Sequence, residues 1–155
     1  MGLNTPILLA VLLMVSNCAA GRPPSSTDQD PGLAACPNRP NCVSSLAGDE
    51  KHRVEPLTFS GSPAEAAARL ASVIEQMKGS KIVSQTDTAI HAEFTSTVFS
   101  FVDDVDFRFD AARQRIDLRS ASRVGYFDFG VNRRRVEEIR RRFNAASSSP
   151  AQPSP

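Results

Sequence analysis

The chain has 155 residues, with nine Phe, one Tyr and no Trp, and 18 basic side chains stand against 17 acidic ones. The near balance of charge excludes a global field drawing the protein onto nucleic acid. The length allows one domain with a single modest core, assigned by composition to Phe, Val, Ile and Leu.

In chain order, Ile7 to Val15 is an unbroken apolar run of nine residues, and the first charged side chain is Arg22. Such a run is too short to span a bilayer and has the size of a signal-peptide h-region. Val15-Ser16-Asn17-Cys18 then resembles the lipobox of bacterial lipoproteins, although Asn17 fills a slot usually held by Gly, Ala or Ser. The rival is ordinary cleavage after Ala20. A buried apolar segment of the domain is disfavoured, because the run has no period and a polar tract follows it. The three cysteines favour the lipobox: Cys36 and Cys42 can pair, and acylation of Cys18 accounts for the third. Residues 1–18 are therefore expected to be a signal peptide ending at a lipidated Cys18. The mature protein is expected to be exported to the cell envelope and held by its anchor on the periplasmic side of a membrane.

Residues 19–32 are rich in Pro, Ser, Gly and Asp and read as a flexible linker; residues 144–155 have the same character and are expected to be a disordered tail. The folded unit is expected over 33–143. Val54 to Phe59 reads as a short strand, placed at an edge by Pro56. Ser62, Pro63 and Glu65 form a helix start, with Ser62 as N-cap and Glu65 closing a capping box. Ala67, Leu70, Ile74 and Met77 repeat at helical spacing, and Gly79 ends the helix.

From Lys81 onward the period becomes two. Ile90, Ala92 and Phe94 alternate with polar neighbours, as do Val105, Phe107 and Phe109, and then Ile116 and Leu118. Turn residues at Asp87-Thr88 and at Asp110 to Arg113 make the strands hairpin partners. A second helix is expected from Asn132 as N-cap, with Val136, Ile139 and Phe143 on one side. The fold class is thus α+β: a two-layer sandwich in which an antiparallel meander carries two helices on one face and leaves a polar face opposite.

The pair Cys36 and Cys42, with five residues between them and stiffened by Pro37 and Pro40, is expected to form a disulfide. A zinc site would need two further ligands, and free thiols are the remaining alternative. His91 and Glu93 share one face of a strand, as an acid/base pair or, the preferred reading, an ordinary hydrogen-bonded pair. Asp104 and Asp106 project to one side, Asp103 to the other, and the first two are read as partners of Arg108 and Arg119. A divalent cation would need more oxygen ligands, and neither metal nor cofactor is expected.

Arg119, Ser120, Ser122 and Arg123 offer donors suited to a carboxylate or phosphate, with Asp104, Asp128 and Asn132 close by. Asn132 would add the free N–H groups of a helix start. The rival reading is that these groups satisfy one another around a complicated turn. Among the arginines from Arg133 to Arg142, Arg133 and Arg141 fall at i,i+4 from Glu137 and Arg134 and Arg142 at i,i+4 from Glu138, the pattern of a self-supporting solvated face; contact with anionic lipid headgroups is the alternative. No G-x-S-x-G, Walker, Rossmann or H-E-x-x-H pattern is present.

Cys36-Pro37, Pro40-Asn41-Cys42-Val43-Ser44-Ser45, His91-Ala92-Glu93-Phe94, Phe101 to Phe107, and Arg119 to Tyr126 with Asp128 and Gly130 to Arg133 together resemble the family of domain of unknown function 1499. The resemblance implies an exported or membrane-attached domain and supplies no reaction. Phe127 stands where that family commonly has Ser. Two functional expectations follow. One is a noncatalytic envelope lipoprotein that binds an anionic small molecule, a lipid headgroup or an envelope protein. The other is a small periplasmic hydrolase using His91 and nearby carboxylates.

Overall fold

The structure, a computed structural model, describes residues 32–148 apart from Val98. The expected signal peptide with Cys18 and Ala20, the expected linker up to residue 31 and the part of the expected tail from residue 149 lie outside the described residues.

Eight elements follow one another: β1 (Cys42–Ser44), β2 (Leu57–Thr58), α1 (Pro63–Glu75), β3 (Ser80–Gln85), β4 (Ala89–Thr95), β5 (Val102–Asp110), β6 (Arg115–Ser122) and α2 (Val131–Ser148). The sheet runs β1-β6-β5-β4-β3, and β2 also pairs with β6; every pairing is antiparallel. Strands β3 to β6 are the expected meander, and both helices lie on its apolar face.

The residues that alternate in sequence face the helices: Ile90, Ala92 and Phe94 from β4, Val105, Phe107 and Phe109 from β5, Ile116 and Leu118 from β6. They join Leu70 and Ile74 of α1 and Val136, Ile139 and Phe143 of α2 in one buried cluster. Each large side chain fully buried there contributes about 1.5–3 kcal/mol relative to exposure. The cluster is drawn from residues between Val43 and Phe143, so a chain starting at Gly32 carries every core residue among the described ones. Among the described residues no helix is long and apolar enough to cross a membrane.

Local chemistry explains the ends. Ser62 Oγ accepts from Glu65 N at 3.2 Å, and Ser62 N donates to the Glu65 carboxylate at 3.0 Å, which is the expected capping box. Helix α1 stops at Gln76. Gly79 is required where β3 begins: its φ is +77°, and a Cβ there would lie 2.4 Å from the Thr95 carbonyl oxygen. Edge strand β3 is interrupted by a bulge between Ile82 and Ser84, which blunts its pairing edge.

Three expectations need correction. The strand at Val54 to Phe59 shrinks to Leu57–Thr58, because Pro56 has no N–H to give the ladder. Helix α2 continues to Ser148, so residues 144–148 are helical rather than tail. Asn132 is not the N-cap: it lies inside α2, while Asp128 accepts from Gly130 N at 2.8 Å and Asn132 N at 2.9 Å. The disulfide expected between Cys36 and Cys42 is present, with Cα atoms 5.6 Å apart.

Candidate functional site

The uncovered face of the sheet brings His91, Glu93, Asp104, Asp106, Arg119 and Arg123 together. Register places His91 opposite Asp106, itself opposite Arg119, and places Glu93 opposite Asp104. His91 Nδ1 lies 2.8 Å from Asp106 Oδ1, and Nε2 lies 3.5 Å from Asp104 Oδ1. The directly opposed carboxylates of Glu93 and Asp104 would repel. Arg123 relieves this by donating from Nε and Nη2 to Asp104 at 2.9 and 2.7 Å, and from Nη2 to Glu93. Those bonds, to Asp104 first, hold the guanidinium proton more firmly than usual.

His91, Glu93 and Asp104 offer ligand atoms within 4.8 Å of one another. A divalent ion there would have to displace Arg123, whose cation already bridges two of the three. Arg119 is less well served. Its Nη1 is 3.9 Å from Asp106 Oδ2, and its buried Nε has no hydrogen-bond partner among the described residues.

The convergence expected of Arg119, Ser120, Ser122 and Arg123 does not occur. Strand alternation sends Arg119 and Arg123 to the open face and the two serines toward α2. There Ser120 Oγ donates to Asn132 Oδ1 at 2.6 Å, and Arg135 Nη1 donates to the same oxygen at 2.7 Å. Asn132 Nδ2 meets Asn41 O, Ser122 Oγ and Asp128 Oδ2 at 2.9–3.0 Å. Arg135 also pairs with Asp103 between β5 and α2, both side chains being at most 10% exposed. The N–H groups expected to welcome an external anion are therefore occupied by the Asp128 carboxylate. Serines, amide and carboxylates satisfy one another around the turn.

The α2 arginines meet expectation only in part, through the pair of Glu138 and Arg142. Glu138 pairs with Arg142 at i,i+4 and with Arg141 at i,i+3, and Arg140 bonds Glu137 at i,i+3. Arg133 donates to the carbonyls of Arg53 and Lys51, and Arg140 to those of Pro56 and Glu55. Two of these cations thus clamp the irregular segment before α1 instead of facing solvent.

What sequence reasoning missed is apolar. The β4–β5 hairpin tip and the β6–α2 loop meet at one end of the sandwich and present Phe99, Phe101, Val124, Phe127, Phe129 and Val131 around a groove of about 280 Å³. Phe99 is 72% exposed and Phe129 80% exposed. The rings are ordered into pairs: Phe99 stacks on Phe101 with centroids 5.5 Å apart, and Phe127 meets Phe129 edge to face at 5.3 Å. Each loop has a non-glycine residue at positive φ, Ser100 at 52° and Phe129 at 54°, a conformation that bulky L-residues adopt at a cost. Two acids line the groove, and both are engaged: Asp103 by Arg135 and Asp128 by the start of α2. Alternation assigns phenylalanine to the core, and the signal against it here was the non-alternating setting of Phe127 and Phe129 beside Asp128 and Gly130.

Residues 32–143 match the family model described as Protein of unknown function (DUF1499). No curated protein matches the chain. The match spans the core, the disulfide lobe and the Asn132 network, and the chain belongs to the DUF1499 family.

Proposed function

We propose that the protein is a noncatalytic binding domain of the cell envelope, lipid-anchored through Cys18 on the periplasmic side of a membrane, and that it binds through the aromatic end of the sandwich. One observation carries the binding surface: six large apolar side chains from two loops and the first residue of α2 stay exposed around one groove, whereas the neighbouring polar groups are consumed internally. A contiguous exposed apolar patch on a small domain marks an interaction site. The anchor rests on the Val15 to Cys18 pattern and on the pairing of Cys36 with Cys42, which leaves Cys18 for acylation.

The hydrolase reading draws on His91 between two aspartates. It is the weaker one, because the hydrogen bond of His91 goes to Asp106 while Glu93 and Asp104 are neutralised by Arg123. No nucleophilic hydroxyl or thiol bonds to His91 among the described residues.

Titration with a fluorescent anilinonaphthalene probe tests the binding surface. The folded protein should bind it, and Phe99→Ser combined with Phe127→Ser should weaken that binding roughly tenfold, since each ring removed withdraws a large apolar contact. Equal binding by the variant would reject the aromatic end. Fatty-acid labelling that persists in Cys18→Ser would reject the anchor, and ester hydrolysis lost in His91→Ala would favour the enzyme.

A further inference from the structure

We infer that the partner of the aromatic end is the surface of a lipid bilayer, into which the two loop tips insert as a peripheral contact. The inference rests on the reading of that end as the binding surface. Shape supplies the first argument. The groove, about 280 Å³, falls at the small end of ligand pockets, which enclose most of their ligand. Here Phe99 and Phe129 stand out from the groove instead of walling it, which suits a broad apolar medium better than one enclosed molecule.

Charge supplies the second. The adjoining groove, which shares Ser96 and Val131 with the first, is bordered by Lys78 and Arg134 and by one acid, Glu138, which Arg141 and Arg142 neutralise. Both bordering cations are exposed. Arg134 Nη1 is fixed at the rim by donating to Phe129 O at 2.8 Å. The acids at the groove, Asp103 and Asp128, are neutralised from within. An apolar tip with a cationic rim matches an acyl region topped by anionic headgroups, each such cation adding to the attraction. Tyr126, 64% exposed on the same loop, has the apolar body and polar tip favoured at headgroup depth.

A second copy of the chain fits less well. In a two-fold dimer the same patch meets itself, which would bring the rim cations of one copy toward those of the other. No helix among the described residues can span a membrane, so the contact would be shallow.

The absence of Trp makes the test direct. In a chain from Gly32 to Pro155, which lacks the expected leader and keeps every core residue among the described ones, Phe129→Trp introduces a single indole at the tip, and Arg113→Trp introduces one in the β5–β6 turn. Each is mixed with vesicles of phosphatidylcholine and a minority of phosphatidylglycerol, brominated along the chains. Insertion to about 5–10 Å should quench the first roughly twofold and leave the second unchanged. Lys78→Gln should weaken partitioning of the Phe129→Trp protein roughly fivefold. Quenching absent or equal at the two positions overturns the inference. If the tip indole then shifts to the blue with a monomeric single-chain amphiphile, the aromatic end is a ligand site and only the bilayer is lost. A concentration-dependent blue shift without lipid, with a dimer by light scattering, assigns the patch to a second copy. Silence under all three conditions removes the binding reading as well.

Discussion

The side-chain amide of Asn132 donates to the backbone carbonyl of Asn41 at 3.0 Å across 91 positions of sequence, joining the disulfide lobe to the first turn of α2. Asn132 has no exposed surface, and its amide also meets Ser120, Ser122, Asp128 and Arg135. Removing it leaves several buried partners unsatisfied, each at a penalty of about 1–3 kcal/mol. Asn132→Ala is expected to lower stability by about 3 kcal/mol, measured as a shift of the urea midpoint. A change of a few tenths would mean that the network relaxes around the gap.

The Cys36–Cys42 disulfide closes a short loop before β1. On the chain-entropy model it contributes about 2 kcal/mol. Reduction is therefore expected to lower stability by about that amount without unfolding the sandwich, because the core cluster touches the disulfide lobe only at Val43 of β1 and is otherwise built from residues after it. Hydrogen exchange should then accelerate at Val43 and Ser44, whose strand pairs with β6, and stay slow in β4 and β5. Acceleration throughout the sheet would show that the lobe is part of one cooperative unit.

Much of the fold was legible because it depends on period. Ile90, Ala92 and Phe94, then Val105, Phe107 and Phe109, then Ile116 and Leu118 are buried as alternation requires, and Val136, Ile139 and Phe143 as helical spacing requires. Strands β1 and β2 have three and two residues, too few to show a period, and they exist only because β6 offers an edge. The parity of Ile116 and Leu118, carried forward, already turns Ser120 and Ser122 inward and Arg119 and Arg123 outward. The role of Asn132 needed the position of Asn41, which no local pattern contains. The exposed rings were illegible for a different reason. Phe99 and Phe129 have the composition of core, and only the loop geometry turns them out.

Glu138 bonds Arg141 and Arg142 on one face of α2. These cations, Arg141 first, hold its carboxyl down to about 2, from an ordinary 4.5. A carboxylate whose folded pKa is depressed stabilises the fold above its unfolded value, and that contribution is lost as pH falls through the folded one. The advantage of wild type over Glu138→Gln should therefore be constant above about pH 5 and vanish between about pH 4.5 and 2. Thermal melts of both proteins across that range check it. The pairs lie at the surface within reach of solvent, so added salt should shrink the difference at neutral pH. A gap that persisted at pH 2 would show that Glu138 acts through packing rather than charge.

Phe129 combines 80% exposure with a φ of 54°, so the fold bears strain for a ring it does not bury. An L-residue in the left-handed region is disfavoured by about 1–2 kcal/mol, whereas glycine enters it freely. Phe129→Gly is accordingly expected to raise stability by about 1 kcal/mol, once the entropy that glycine adds to the unfolded chain is subtracted. Phe129→Ala removes the same ring but keeps the strain, so its stability should stay within about 0.5 kcal/mol of wild type. Both should bind vesicles less well, since both lack the ring. Urea denaturation and vesicle sedimentation on the two variants separate backbone from side chain. If glycine gives no gain over alanine, the left-handed turn is held by its neighbours, Asp128 and the Arg134 bond to the Phe129 carbonyl, without net strain at position 129. If the alanine variant binds vesicles as well as wild type does, the ring at the tip contributes nothing to the membrane contact.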